Sequence, residues 1–186
     1  NSILFFDDWM LERRDGLERI WGKPKFVKEM FDSFYPGFLG YSGYITCFRD
    51  ESVGKYALYL SIFPPEADHS VFTVRLQSDD LYNWPHPTYD LVSDPVWKGF
   101  DNLVKDENGS RFWPFTVYSL AGTPLSSKGY VATEWIHSRN ISALGFSIDG
   151  LNFDMNRENP WQNPGSDAPG HIVWNENAGL FHIYTR

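Results

Sequence analysis

The stretch GFSIDGLNF (Gly145–Phe153), a Trp/Pro/Asn-rich connector ending GSDAPG, and HIVWNENAGLFHIYTR (His171–Arg186) decides how this chain reads. Both recognisable parts of it recur upstream. VRLQSDDLYNW (Val74–Trp84) aligns with ALGFSIDGLNF (Ala143–Phe153), sharing Ser78/Ser147, Asp80/Asp149, Asn83/Asn152 and an aromatic at Trp84/Phe153. CFRDESVGKYALY (Cys47–Tyr59) aligns with IVWNENAGLFHIY (Ile172–Tyr184), sharing Gly54/Gly179, aromatic Tyr56/Phe181, aliphatic Leu58/Ile183 and Tyr59/Tyr184. A chain that repeats two elements at a distance is read first as a repeat protein.

Each element has a local physical reading. In S-x-D-x-x-N-[W/F] a strand runs into a turn where Asp and Asn bond nearby backbone and Gly or Asn takes positive φ, and the aromatic opens the return strand. The other element is a hairpin: an apolar strand, a polar tip ending in Gly54 or Gly179, then the alternation of KYALYL and LFHIY. The order hairpin, S-D turn, hairpin predicts an all-β chain of successive β-propeller blades, one four-stranded sheet per repeat.

Composition agrees. Of 186 residues, 42% are hydrophobic and 18% aromatic, with 15 Gly and 12 Pro, which favours short strands and many turns. A net charge of -8 argues against a nucleic-acid or anionic-membrane partner. No apolar run reaches the roughly 18 residues of a membrane span. The single cysteine, Cys47, excludes an internal disulfide and a cysteine-based zinc site, and its apolar strand predicts a buried, inert thiol. His69, His86, His137, His171 and His182 show no metal-ligand spacing, and no phosphate-binding or dinucleotide motif is present, so neither a metal nor a cofactor is expected.

Along the chain, residues 1–43 read as a terminal strand and a polar arm, 44–92 as blade one, 93–158 as blade two with an Asp-Glu-Asn-Gly tip at 106–109, and 159–186 as the start of blade three. At roughly 40–50 residues per blade, about two and a half blades of a single, partial propeller domain are written here. Further chain or a partner chain is expected to complete it.

The order FFDDWMLE (Phe5–Glu12), GKP (Gly22–Pro24), GKYALY (Gly54–Tyr59), SDDLYNW (Ser78–Trp84), FDNLV (Phe100–Val104), SIDGLNF (Ser147–Phe153) and SDAPGHIVW (Ser166–Trp174) resembles the N-terminal part of bacterial proteins related to the five-bladed propeller glycoside hydrolases, families 32 and 43. The resemblance covers nearly the whole chain and is carried by the order of the segments. It implies a glycosidase-type propeller acting on poly- or oligosaccharide, secreted or periplasmic. No signal peptide is visible, and since the chain starts at Asn1 without Met, any leader is expected to have been removed or never included. It also implies carboxylates at the axial ends of successive blades.

Glycosidic hydrolysis needs one carboxyl group to protonate the leaving oxygen and a second to activate water or attack the anomeric carbon. Asp167, in a segment that resembles the one holding the family's transition-state-stabilising Asp, is the first candidate, although Ala168 separates it from the proline that follows directly in the family. Otherwise it bonds a Gly/Pro-rich turn. Asp101, followed by Asn102, is read at the inner start of blade two, as an axial carboxylate or a strand cap. Glu134, between Thr133 and Trp135 in an apolar strand, is either an acid whose pKa burial raises or the partner of Arg139 in a bridge. Just before Tyr44, where the family carries a carboxylate, the chain has Tyr41 and Ser42, and Asp32 is the nearest upstream acid. That departure keeps a non-catalytic carbohydrate-binding or structural module open as the alternative. His171 is a candidate for a sugar hydroxyl or a structural imidazole; Trp97, Trp113, Trp135 and Trp161 are candidate stacking platforms or core. Asp79, Asp80 and Asp149 read as turn residues.

Overall fold

The computed structural model describes residues 25, 40–41, 45–63, 71–85, 102–110, 113–136, 139, 141–158 and 169–185. Among these the chain is all-β, and its only helical element of regular length is one 3₁₀ turn at Ser126–Lys128.

The first sheet is built around β3 (Lys55–Phe63), with β4 (Phe72–Ser78) antiparallel on one side. On its other side β2 (Thr46–Asp50) and the short β1 (Gly40–Tyr41) pair with successive parts of β3. The second sheet holds β6 (Thr116–Ser119), β7 (Tyr130–Ile136), β8 (Ile141–Ser147) and β9 (Asn152–Met155) as an antiparallel meander, with β5 (Lys105–Asp106) parallel on the β9 edge. The third is the hairpin of β10 (Pro169–Asn175) and β11 (Leu180–Thr185).

Both sequence repeats are structural repeats. The β2–β3 and β10–β11 hairpins close with equal registers, Asp50 opposite Lys55 and Asn175 opposite Leu180. Each turn ends on a glycine in the left-handed region, Gly54 at φ 68° and Gly179 at φ 63°, a conformation that costs other L-residues steric strain. The S-D turns match as closely. Asp80 Oδ1 accepts the amides of Tyr82 and Asn83 at 2.9 and 2.8 Å, and Asp149 Oδ1 accepts those of Leu151 and Asn152 at 2.8 Å each.

The sheets stack in chain order, and β6 packs against both β2 and β10. Alternation along each strand serves two faces. Ala57 and Tyr59 of β3 share a buried core with Tyr130, Ala132, Ala143 and Phe153 of the second sheet. The opposite face of the second sheet gives Val131 to a core with Leu120 and Ile172, against which Phe181 and Ile183 of β11 pack.

Three local expectations are corrected. Trp84 opens no return strand, because Pro85 follows and lacks the N–H a ladder requires. Its indole instead tucks in, donating from Nε1 to Leu81 O at 2.9 Å. The edge of β4 is taken by 102–104: the Arg75 amide donates to Asn102 O and the Val104 amide to Thr73 O, both at 2.8 Å. Asn102 therefore lies at the outer edge of the first sheet, whereas the sequence placed it at the inner start of the second. Cys47 is exposed, since Thr46 and Asp50 take the buried positions of β2 and alternation turns Cys47 outward. Desolvation still raises its thiol pKa, so the reactive thiolate is scarce at neutral pH.

Candidate functional site

Two polar clusters and one aromatic cluster hold the described chemistry. The first polar cluster is buried between the first two sheets. Asp50, at the end of β2, is fully buried, and its Oδ2 receives hydrogen bonds from Arg75 Nη2 of β4 and from the Tyr130 hydroxyl of β7, each at 2.5 Å. Ser52 Oγ donates to the other oxygen at 2.6 Å. Arg75 Nη1 reaches across to Asp149 O, and the Tyr59 hydroxyl donates to Gly150 O at 2.9 Å. The guanidinium carbon also sits 5.0 Å from the Tyr130 ring centroid. Burial pushes the Tyr59 hydroxyl far above its ordinary pKa and also raises that of Tyr130, which keeps both as proton donors. The carboxylate, the cation and the Tyr130 phenol thus bond one another, and Arg75 Nη1 and Tyr59 tie them to the S-D turn of the next sheet. Arg75 Nε is left buried without a hydrogen-bond partner among the described residues. Sequence reading passed over this network. Its one signal is Arg75 inside the apolar run Val74–Leu76, a charge that needs a buried partner.

The second polar cluster surrounds Arg157. Its Nε donates to Glu134 Oε2 at 2.8 Å and its Nη2 to Glu134 Oε1 at 3.3 Å; Nη1 serves Asp106 at 3.0 Å and Glu107 at 3.1 Å. The hydrogen bond to Glu134, ahead of the opposing desolvation, raises the guanidinium pKa. Of the two sequence readings of Glu134, this is the geometry of a bridge, with Arg157 as partner in place of Arg139, which donates to Arg157 O at 3.2 Å. The sequence could not choose between the two arginines, because β8 and β9 separate them in the chain and the sheet brings Arg157 back beside β7.

The aromatic cluster lies at the start of β6. Trp113 stacks on Phe115 with ring centroids 5.0 Å apart, and Trp135 meets Phe115 edge-on at 6.4 Å. The Phe115 amide donates to Thr133 O at 2.9 Å, which fixes the group beside the end of β7. Trp113 and Trp135 are half-buried.

No family model, curated protein or solved structure matches the chain. The site is therefore read from its own residues. Asp32, Asp101, Asp167, Trp97 and Trp161 lie outside the described residues. Asp167 stands two positions before Pro169, the first residue of β10. His171 is exposed where the β10–β11 register shifts between Pro169 and Ile172. Among the described residues no group of His, Cys, Asp and Glu could hold a metal ion, and no helix is long and apolar enough to cross a membrane. An open cleft of about 350 Å³ lies at the outer edge of the first sheet, lined by Lys55, Arg75, Gln77, Asn102 and Leu151 among others.

Proposed function

We propose that the chain is part of a β-propeller of the five-bladed glycosidase type and processes poly- or oligosaccharide. The observation that carries this reading is that β6 touches both β2 and β10. Three sheets of one repeat then stand side by side with their first strands adjacent, which is how blades surround an axis. A ring of first strands gathers the residues that precede them at one mouth. Asp167, just ahead of β10, and the Trp113–Phe115–Trp135 cluster, at the start of β6, are two such groups.

In this reading Asp167 is one of the carboxylates and Asp32 the second, since Asp101 precedes Asn102, which bonds the outer edge of the first sheet. One carboxylic acid protonates the departing glycosidic oxygen while a carboxylate attacks the anomeric carbon or activates water. A separation of about 5–5.5 Å gives retention and about 6.5–9.5 Å gives inversion. Half-buried indole side chains suit the apolar C–H face of a pyranose. A secreted or periplasmic location belongs to the same proposal, since polysaccharide is met outside the cell.

A second reading, a carbohydrate-binding module without catalysis, is favoured by Glu134. Both of its carboxylate oxygens already accept hydrogen bonds from Arg157, which leaves it held in a bridge rather than turned to a substrate. Turnover on a panel of oligosaccharides, with glycan binding measured in parallel, separates the two. Turnover that Asp167→Asn abolishes while binding persists supports the hydrolase. Binding without turnover, weakened by Trp135→Ala, supports the module. A chain that neither binds nor cleaves any glycan ends both.

A further inference from the structure

The three sheets use their faces in a regular way that leaves one face over. On β3, Ala57 and Tyr59 point at the second sheet and are buried there. On β11, Phe181 and Ile183 point back at the second sheet. The hairpin repeat aligns Ala57 with His182 and Tyr59 with Tyr184, and strand alternation places both, with Leu180, on the side away from the second sheet. Val173 of β10, paired with His182, shares that side. The contrast in exposure is large at the tyrosine: Tyr59 is 2% exposed, whereas Tyr184 is 59%. In the first sheet Ala57, Tyr59 and Phe48, the counterparts of His182, Tyr184 and Val173, pack against a neighbouring sheet, while Lys55, the counterpart of Leu180, stays partly exposed at the rim.

We propose that this face of the third sheet, Val173, Leu180, His182 and Tyr184, is a docking surface for one further sheet of the same repeat, occupying the place that the second sheet takes on the first. The occupant's chemistry follows from the interface that already exists. Tyr59 donates to Gly150 O, the carbonyl after Asp149 in the S-x-D-x-x-N turn. Tyr184 accordingly donates to the carbonyl after the Asp of the partner's own S-x-D-x-x-N turn. Asn175 stands where the first sheet has Asp50, so this contact carries no buried carboxylate and needs no counterpart of Arg75. The interface carries no buried carboxylate–guanidinium pair; Asn175 lies within 3.5 Å of His182 on this face, and the tyrosine hydroxyl sets its register. This inference rests on the repeated-sheet part of the proposed function and not on its chemistry, so loss of all glycan activity leaves it standing.

The test is the full chain extended after Arg186, through a flexible linker, by a second copy of its own residues 113–158, followed by hydrogen exchange resolved to individual strands. The expected result is at least about tenfold slower exchange across Leu180–Thr185 together with protection of the appended strands. The paired change Val173→Asp with Tyr184→Asp should remove both effects while β7 and β8 stay protected, which separates lost docking from lost folding. An appended segment that stays unprotected, or that becomes protected without slowing β11, overturns the proposal. So does self-association of the unextended chain that already slows β11 exchange, because the occupant is then a second copy. Glycan turnover measured on the same samples reports on the catalytic proposal separately.

Discussion

Asp80 and Asp149 bind the same set of groups at two places in the chain. In each, Oδ1 accepts two successive backbone amides and Oδ2 accepts the side-chain amide of the following Asn at 2.7 Å. For Asp80 the Asn83 and Tyr82 amides lower the pKa to about 2. For Asp149 partial desolvation works the other way, but the Asn152 and Leu151 amides outweigh it and the value again falls to about 2. A pKa lower in the folded state than in the unfolded chain means stability that is present above the unfolded value, 3.8, and is lost as pH falls through about 2. Asp149→Asn should therefore flatten the acid limb of the urea midpoint against pH over that interval. An unchanged acid limb would mean that these bonds do not form in solution. These residues were legible in sequence because every partner lies within three residues of the aspartate.

At the scale of the element, the two S-D turns share a backbone but not a residue at its tightest point. Leu81 at φ 66° and Gly150 at φ 72° occupy equivalent left-handed positions. Leu81→Gly removes a penalty of about 1–2 kcal/mol against a glycine entropy cost of about 0.5–1 kcal/mol, so a gain of about 0.5–1 kcal/mol is expected in urea denaturation. Gly150→Ala goes the other way. The added Cβ would meet Tyr59 Oη at 2.5 Å and Arg75 Nη1 at 2.9 Å in a conformation already unfavourable for alanine. A loss of about 2–3 kcal/mol is expected, and Tyr59→Phe in the same background should recover part of it. The sequence predicted both turns, yet only the fold explains why Gly150 is intolerant and Leu81 is tolerated. Gly150 faces the first sheet, while Leu81 is exposed.

At the scale of the molecule, the buried Asp50–Arg75–Tyr130 group holds two sheets together through residues 25–80 positions apart. Asp50→Asn leaves Arg75 charged and buried without its counter-ion, and a loss of about 3–5 kcal/mol is expected. Tyr130→Phe keeps the ion pair and removes one donor, for about 1–3 kcal/mol. Both are read from urea denaturation followed by tryptophan fluorescence. The ranking is the test: equal losses would place the energy in packing instead of charge.

The sequence by itself determined the two repeated hairpins with their tips and the two repeated turns, because these depend on alternation, on glycine's access to positive φ and on hydrogen bonds that span a few residues. It also identified Glu134 as a carboxylate in need of a partner, since an apolar strand does not carry an unpaired charge. Only the tertiary structure decided that the partner is Arg157, that 102–104 replaces the expected Trp84 strand on β4, and that Cys47 faces outward. The Asp50 network and the uncovered face of β11 belong to the same class. Each depends on which sheet stands beside which, and that is set by contacts between strands far apart in the chain, to which no local pattern is sensitive.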